Sequence, residues 1–302
     1  MTANKKIYST ILLSLLSIVL IKLFVPAPYI NKELKNEYWT NKTFGKNKTN
    51  IVVGGDSRVY RGVSTTHLLD SCQSLTAVNL GYSSAGFNSE YFNFLYDRMD
   101  TTSSENIMLL GITPHSFLEK HMSNDALNFY KSKTSSEIFS GLYYAPLLKH
   151  FPPYSPFELF DDSTETYIIN YRKGGFAASN NLAGDFDYTY WKYWDTFRKE
   201  KVSDSLINVF FDDIKRFQDR GVKIIAFQPP VPAHMMEIED GHSGFKREEF
   251  KSRFKNEGGL WIEIVDSLYS SYDGSHLHYR DAEKLSTFLG VKIKELIKDQ
   301  PK

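Results

Sequence analysis

Residues 51–58 read Ile-Val-Val-Gly-Gly-Asp-Ser-Arg, and their reading decides the fold class. Three branched apolar residues suit a short buried strand, and the two glycines after them permit a tight turn. A serine just past the C-terminal end of a strand lies on the face where open parallel sheets hold ligands. A helix starting there would offer unpaired N–H groups to an oxyanion. Taken alone, Gly-Asp-Ser is also an ordinary turn sequence.

Outward from this segment, four more apolar runs have the length of buried strands: 76–80, 107–110, 222–227 and 260–265. Helical patterns separate several of them. Residues 203–220 place Leu206, Val209, Phe210, Ile214 and Phe217 at helical spacing, and Gly221 follows as a stop. Residues 280–297 form a second amphipathic pattern through Ala282, Leu285, Phe288, Leu289, Val291, Ile293 and Leu296. This alternation predicts an α/β domain over 51–302, with a five-stranded parallel sheet covered on both faces. Residues 115–201 break the alternation and are dense in Phe, Tyr and Trp. They read as an insertion, either a lid over a site or a small aromatic core packed on the sheet.

The N-terminus sets the compartment. Residues 7–25 read IYSTILLSLLSIVLIKLFV, 19 residues whose one charge, Lys22, lies near the end. At ~1.5 Å per residue this run roughly crosses a hydrocarbon core of ~30 Å. Lys5 and Lys6 precede it and no Ala-x-Ala cleavage pattern follows. The pattern predicts a single uncleaved anchor, with 1–6 as a cytoplasmic tail and the body outside the cytoplasm. Residues 26–50 are polar and without a clear period, and read as a linker.

Composition excludes several classes. Lys+Arg and Asp+Glu both total 36, so the basic excess of a nucleic-acid binder is missing. The single cysteine, Cys72, rules out an intrachain disulfide and a four-cysteine zinc site. Neither GxxxxGK[ST] nor GxGxxG occurs, so no nucleotide cofactor is expected. His115, His234 and His242 lack a ligand-like spacing, so no metal is expected either.

A second chemical element lies near the other end, in Tyr272-Asp273-Gly274-Ser275-His276-Leu277-His278. A serine must lose its proton to attack a carbonyl. A neutral imidazole can take that proton, and a carboxylate on its other nitrogen fixes the tautomer. Asp273 and His276 on one tight turn could supply both groups. The plainer alternative is an Asx-turn capping the last helix, with surface histidines.

Together, Gly-Asp-Ser after the first strand and Asp-x-x-His before the last helix resemble the SGNH (GDSL) hydrolase family. The resemblance implies a three-layer flavodoxin-like domain with Ser57 as nucleophile, His276 as general base and Asp273 as its orienting carboxylate. Leu277 completes the family's Asp-x-x-His-Leu pattern, which leaves His278 as the second choice of base. In the block 79–86 (NLGYSSAG), Ser84 stands where the family has an oxyanion-hole glycine. In the third block, Gly111-Ile112-Thr113-Pro114-His115, Thr113 replaces the family's asparagine. The implied oxyanion donors are therefore Ser57, Ser84 and Thr113. Arg58, beside the nucleophile, could hold an acidic polymer or an acyl carboxylate, or could pair with a local acid.

The anchor, the altered third block, the ending YDGSHLHYRDAEKLSTFLG and the Gln228-Pro229-Pro230-Val231-Pro232 run look like a narrower group. They resemble the membrane-anchored accessory proteins of alginate acetylation and of teichoic acid D-alanylation. This implies an O-acyltransferase or esterase working on a cell-surface polysaccharide through an acyl-enzyme, beside a membrane-bound O-acyltransferase. The rivals are a plain hydrolase of small esters or lipids, and a non-catalytic glycan-binding or scaffold subunit.

Overall fold

The computed structural model describes residues 3–25, 27, 32–151, 169–179 and 185–298. Its first element, α1 (Ala3–Phe24), is apolar all round and touches almost nothing, and it is long and apolar enough to cross a membrane. α2 (Lys32–Phe44) follows.

The domain then begins with β1 (Ile51–Gly54), the short helices α3 (Ser57–Gly62) and α4 (Thr65–Leu69), β2 (Ala77–Asn79), α5 (Ser89–Tyr96) and β3 (Ile107–Gly111). The inserted region contributes α6 (Asp125–Lys131), α7 (Ser135–Phe139), a π-helical turn over Ser140–Tyr144, α8 (Ala145–Leu148), a hairpin of β4 (Ile169–Tyr171) and β5 (Ala177–Ser179), and α9 (Phe186–Lys199). The alternation resumes with α10 (Asp204–Gln218), β6 (Lys223–Phe227), α11 (Ala233–His242), α12 (Arg247–Asn256), β7 (Leu260–Ile262) and α13 (Tyr279–Lys298).

Five strands form one fully parallel sheet in the order β2-β1-β3-β6-β7. Each of the five apolar runs supplies one strand, and the two amphipathic patterns become α10 and α13. Side chains of a strand point alternately to opposite faces, and here both faces are apolar. Val52, Met108, Leu110, Ile224 and Ala226 pack with Phe92, Phe210, Phe217 and Phe254 from α5, α10 and α12. Ile51, Val53, Ile107, Leu109, Ile225 and Phe227 pack with Val59, Leu68, Leu285, Leu289 and Ile293 from α3, α4 and α13. The result is a three-layer α/β domain, with the C-terminal ends of β1 and β3 opening toward the turn that carries Ser57.

The expected linker is a correction. Within 26–50, α2 packs on the domain and buries Tyr38, Trp39, Thr40, Lys42 and Thr43. The Trp39 ring stacks on Tyr130 with centroids 4.7 Å apart. The Tyr38 hydroxyl donates to Gly175 O at 2.6 Å, and the Lys42 amine donates to the same oxygen at 3.0 Å. The buried face mixes aromatics with threonine and lysine rather than aliphatic residues, so hydrophobic periodicity does not reveal it.

The aromatic insertion divides. Tyr193 and Phe197 on α9 face inward, whereas Tyr188, Trp191 and Trp194 on the same helix are exposed. Tyr154, Phe157 and Phe160 lie outside the described residues.

Candidate active site

The site is built from the β1 turn. Gly55 has φ +144°, and a Cβ there would come within 2.4 Å of the Val59 Cγ2 atom and 2.9 Å of Gly111 O. Only glycine fits this turn, which hands the chain to Asp56 at the N-cap of α3. The Asp56 Oδ1 atom accepts the Arg58 N–H at 2.9 Å, as an N-cap aspartate does. Ser57 is therefore the first helical residue, and its N–H belongs to the set that has no partner within the helix.

The loop before α13 meets this turn from the far end of the chain. The His276 Nε2 atom lies 2.8 Å from the Ser57 hydroxyl, across 219 residues of sequence. Its Nδ1 atom lies 2.7 Å from Asp273 Oδ2. The other Asp273 oxygen accepts the Ser275 and His276 N–H groups at 2.9 and 2.7 Å. Burial works against the Asp273 charge, but the hydrogen bonds from His276 and from the two backbone amides outweigh it and hold the pKa down at about 2. His276 is also pushed below an ordinary imidazole, by burial first and by the Arg61 guanidinium next, against the opposing pull of Asp273. A neutral imidazole beside an ionised carboxylate carries its proton on Nδ1, which leaves Nε2 to accept from Ser57.

These directions fix a pH dependence. Neutral His276 is the form that accepts the serine proton, and it persists to lower pH than an unperturbed imidazole would. The rate of Ser57 acylation is expected to fall as pH is lowered, with a midpoint below the 6.5 of an ordinary imidazole, as measured by probe-labelling rate against pH. A midpoint above 6.5 would contradict the burial argument. The same depressed pKa contributes stability that is present above the ordinary imidazole pKa and is lost as pH falls through the folded value.

The block 79–86 sits against the β1 turn. Tyr82 N–H donates to Gly55 O at 3.1 Å, and the buried Tyr91 hydroxyl bridges Gly55 and Leu80. Asn79 donates to Val59 O and Val63 O at 2.9 and 2.8 Å, tying β2 to the end of α3. Ser84 has φ +51°, the left-handed region that glycine enters without strain. A serine thus holds a backbone conformation that favours glycine.

Thr113 and Arg58 need correction. The Thr113 hydroxyl is buried and donates to Asp56 Oδ2 at 2.8 Å, with Ser116 Oγ 3.1 Å away. Its one proton is committed to the N-cap carboxylate, so it braces the turn instead of serving an oxyanion. Thr113→Val would leave that carboxylate oxygen without its donor and is expected to cost about 1–3 kcal/mol in urea unfolding. Loss of an oxyanion donor would appear instead as a lower kcat at unchanged stability.

Arg58 is 3% exposed and faces the interior. Its Nη1 atom lies 2.7 Å from Glu239 Oε1 on α11, and its Nε–H donates to Ser275 Oγ at 3.1 Å. Its guanidinium sits 5.0 Å from the Tyr193 ring centre on α9, and the Tyr193 hydroxyl is 2.9 Å from the same serine. Burial alone would weaken its charge, but the Glu239 carboxylate reverses this and raises its pKa. Of the two roles open to Arg58, the structure places it in the pairing role, locking the Ser57 helix to the Asp273–His276 loop.

Glu239 has no local signal of a site role; Ser275 sits inside the Asp273–His276 turn and Tyr193 inside the aromatic insertion, but only the fold shows that both meet Arg58. Arg61 carried a usable signal: four residues after Ser57 on a helix, it shares that face. Its Nη1 and Nε groups donate to the hydroxyls of Tyr272 and Tyr60 at 2.8 and 3.0 Å. The Tyr272 ring lies nearly parallel to His276, with centroids 6.0 Å apart.

Other histidines hold other partners, and His115 lies 5.4 Å from the Tyr193 ring between centroids. His278 accepts the Arg280 N–H on its Nδ1 atom at the start of α13. His115 pairs with His121, Nε2 to Nε2 at 3.0 Å, and burial is the first cause pushing both pKa values down. His234 meets the Tyr190 ring, and His242 meets Trp194. The 228–232 run leads β6 into α11, the helix that carries Glu239. No family model matches the chain, and no curated protein matches it.

Proposed function

We propose that this protein is a serine-dependent acyl-transfer enzyme of the SGNH type. It forms an acyl-enzyme at Ser57 and passes the acyl group to a cell-surface glycan, or to water. The observation that carries this reading is the relay Ser57–His276–Asp273, closed at 2.8 and 2.7 Å. Support comes also from the sheet. Counted along the sheet alone, its strands run 2-1-3-4-5, the order of flavodoxin-like folds, with Ser57 at the C-terminal end of the first.

In the reaction, His276 Nε2 takes the hydroxyl proton as Ser57 Oγ attacks the donor carbonyl. Asp273 stabilises the resulting imidazolium without accepting its proton. The Ser57 and Ser84 N–H groups are the assigned donors to the tetrahedral oxyanion. His276 then protonates the leaving group, which departs and leaves an ester on Ser57. In the second half His276 deprotonates the acceptor hydroxyl, which attacks the acyl-serine and releases the enzyme. With α1 as anchor and the body outside the cytoplasm, the acceptor is a surface polysaccharide and an acetyl group is the first donor to try. A membrane-bound O-acyltransferase is the partner that would supply it.

The test is covalent labelling of the full-length, detergent-solubilised protein by a fluorophosphonate, alongside Ser57→Ala and His276→Ala. Acetyl-ester turnover with and without added glycan then separates transfer from hydrolysis. One observation favours the non-catalytic subunit as a second reading: the Thr113 hydroxyl is bound to Asp56, so the third block offers no free side-chain hydroxyl to an oxyanion. Folded wild-type protein that resists labelling would support it.

A further inference from the structure

The run from Ser135 to Leu148 is built the wrong way round for a soluble surface. Its inward side carries Gly141 and Ala145, both buried. A Cβ on Gly141 would come within 2.2 Å of the Thr40 hydroxyl oxygen, so the run presses directly on α2. Its outward side carries Phe139, Tyr143, Tyr144 and Leu148, exposed by 50, 62, 54 and 44%. The three rings contact one another, Phe139 lying 4.6 Å from Tyr143 and 5.5 Å from Tyr144 between centroids. A self-packed group of large apolar side chains turned outward marks an interaction surface.

The position of this group identifies what covers it. His150, two residues past Leu148, donates from Nδ1 to Val25 O at 2.8 Å, at the end of the apolar helix α1. α2 packs against both α8 and the π-helical turn, and its buried face joins it to the domain. Only seven residues separate α1 from α2, a reach of at most ~25 Å. The 135–148 run is itself ~20 Å long. A domain held this close to the end of a membrane span brings that run to the bilayer surface. Tyrosine and phenylalanine are suited to the boundary, where a ring can be buried while a hydroxyl stays wet.

We propose that Phe139, Tyr143, Tyr144 and Leu148 form a membrane-interface foot, seated in the headgroup region and setting the orientation of the domain on the bilayer. The inference rests on α1 being a membrane anchor. An amphipathic surface of this kind lies in the plane of the interface.

The experiment uses the full chain, one copy per lipid nanodisc, in a Cys72→Ser background, since Cys72 is the only native cysteine. An environment-sensitive fluorophore is placed at Tyr143→Cys or Leu148→Cys in the foot, at Leu13→Cys in α1, or at Val265→Cys, an exposed apolar site elsewhere on the domain. Quenching is read with spin-labelled lipids and with aqueous iodide. The expected result is lipid quenching at Leu13, and lipid quenching at both foot positions several-fold above that at Val265, with protection from iodide. Quenching at Leu13 without excess quenching in the foot overturns the foot and leaves the anchor. An unquenched Leu13 overturns the anchor, and the foot with it. Protection of the foot from iodide without lipid quenching shows a protein cover and overturns the proposal as well.

Discussion

Ser57→Ala is expected to abolish covalent labelling by a fluorophosphonate, and His276→Ala to reduce it to the edge of detection. Turnover of an acyl ester should fall by about 10⁴-fold or more in either variant, because in the proposed relay the two side chains act as one unit. Among the described residues His276 is the base at hydrogen-bonding distance from Ser57 Oγ, through its Nε2 atom at 2.8 Å. Asp273→Asn should show a comparable fall, since an amide can hold the imidazole in the wrong tautomer. Thermal melting of each variant separates lost chemistry from lost folding. Labelling that survives in Ser57→Ala would place the reactive serine elsewhere and end the relay as a mechanism.

The second large effect concerns stability. Glu239→Ala strips the buried Arg58 guanidinium of its carboxylate, and both side chains are almost fully enclosed. Leaving one charge buried alone costs about 3–5 kcal/mol. For a domain of this size that is a fall in Tm of about 6–20 °C, at ~2–4 °C per kcal/mol. Arg58→Met should be similarly costly, since it leaves Glu239, among the described residues, with a single long ion pair to Arg247, Oε2 to Nη2 at 3.4 Å. The double variant Arg58→Met/Glu239→Leu removes both charges and should recover much of the loss in urea unfolding. A polymer-binding role for Arg58 predicts the opposite pattern: near-native melting in every variant, with a raised KM.

The structure also explains why some elements are readable and others are not. The strands announce themselves because a sheet covered on both faces needs continuous apolar runs, and Ile51, Val52 and Val53 supply them for both layers. α10 and α13 are legible because each buries one apolar stripe. α2 hides because its inward face is Tyr, Trp, Thr and Lys, residues whose burial depends on partners far along the chain such as Tyr130 and Gly175. Thr113 misleads for a related reason. Its place in the third block suggests a donor, but only the fold shows that Asp56 takes its proton.

The sequence by itself determined the layered α/β plan, the apolar N-terminal helix and the three residue types of the relay. Those properties are written in local periodicity and in short motifs, which neighbouring residues are enough to define. Tertiary structure alone decided that Ser57, His276 and Asp273 meet, that Arg58 turns inward to Glu239, and that α2, after the apolar helix, packs as part of the domain. Each of these depends on closing a long loop, and a contact between distant residues is set by the packing of every layer between them rather than by the residues beside it.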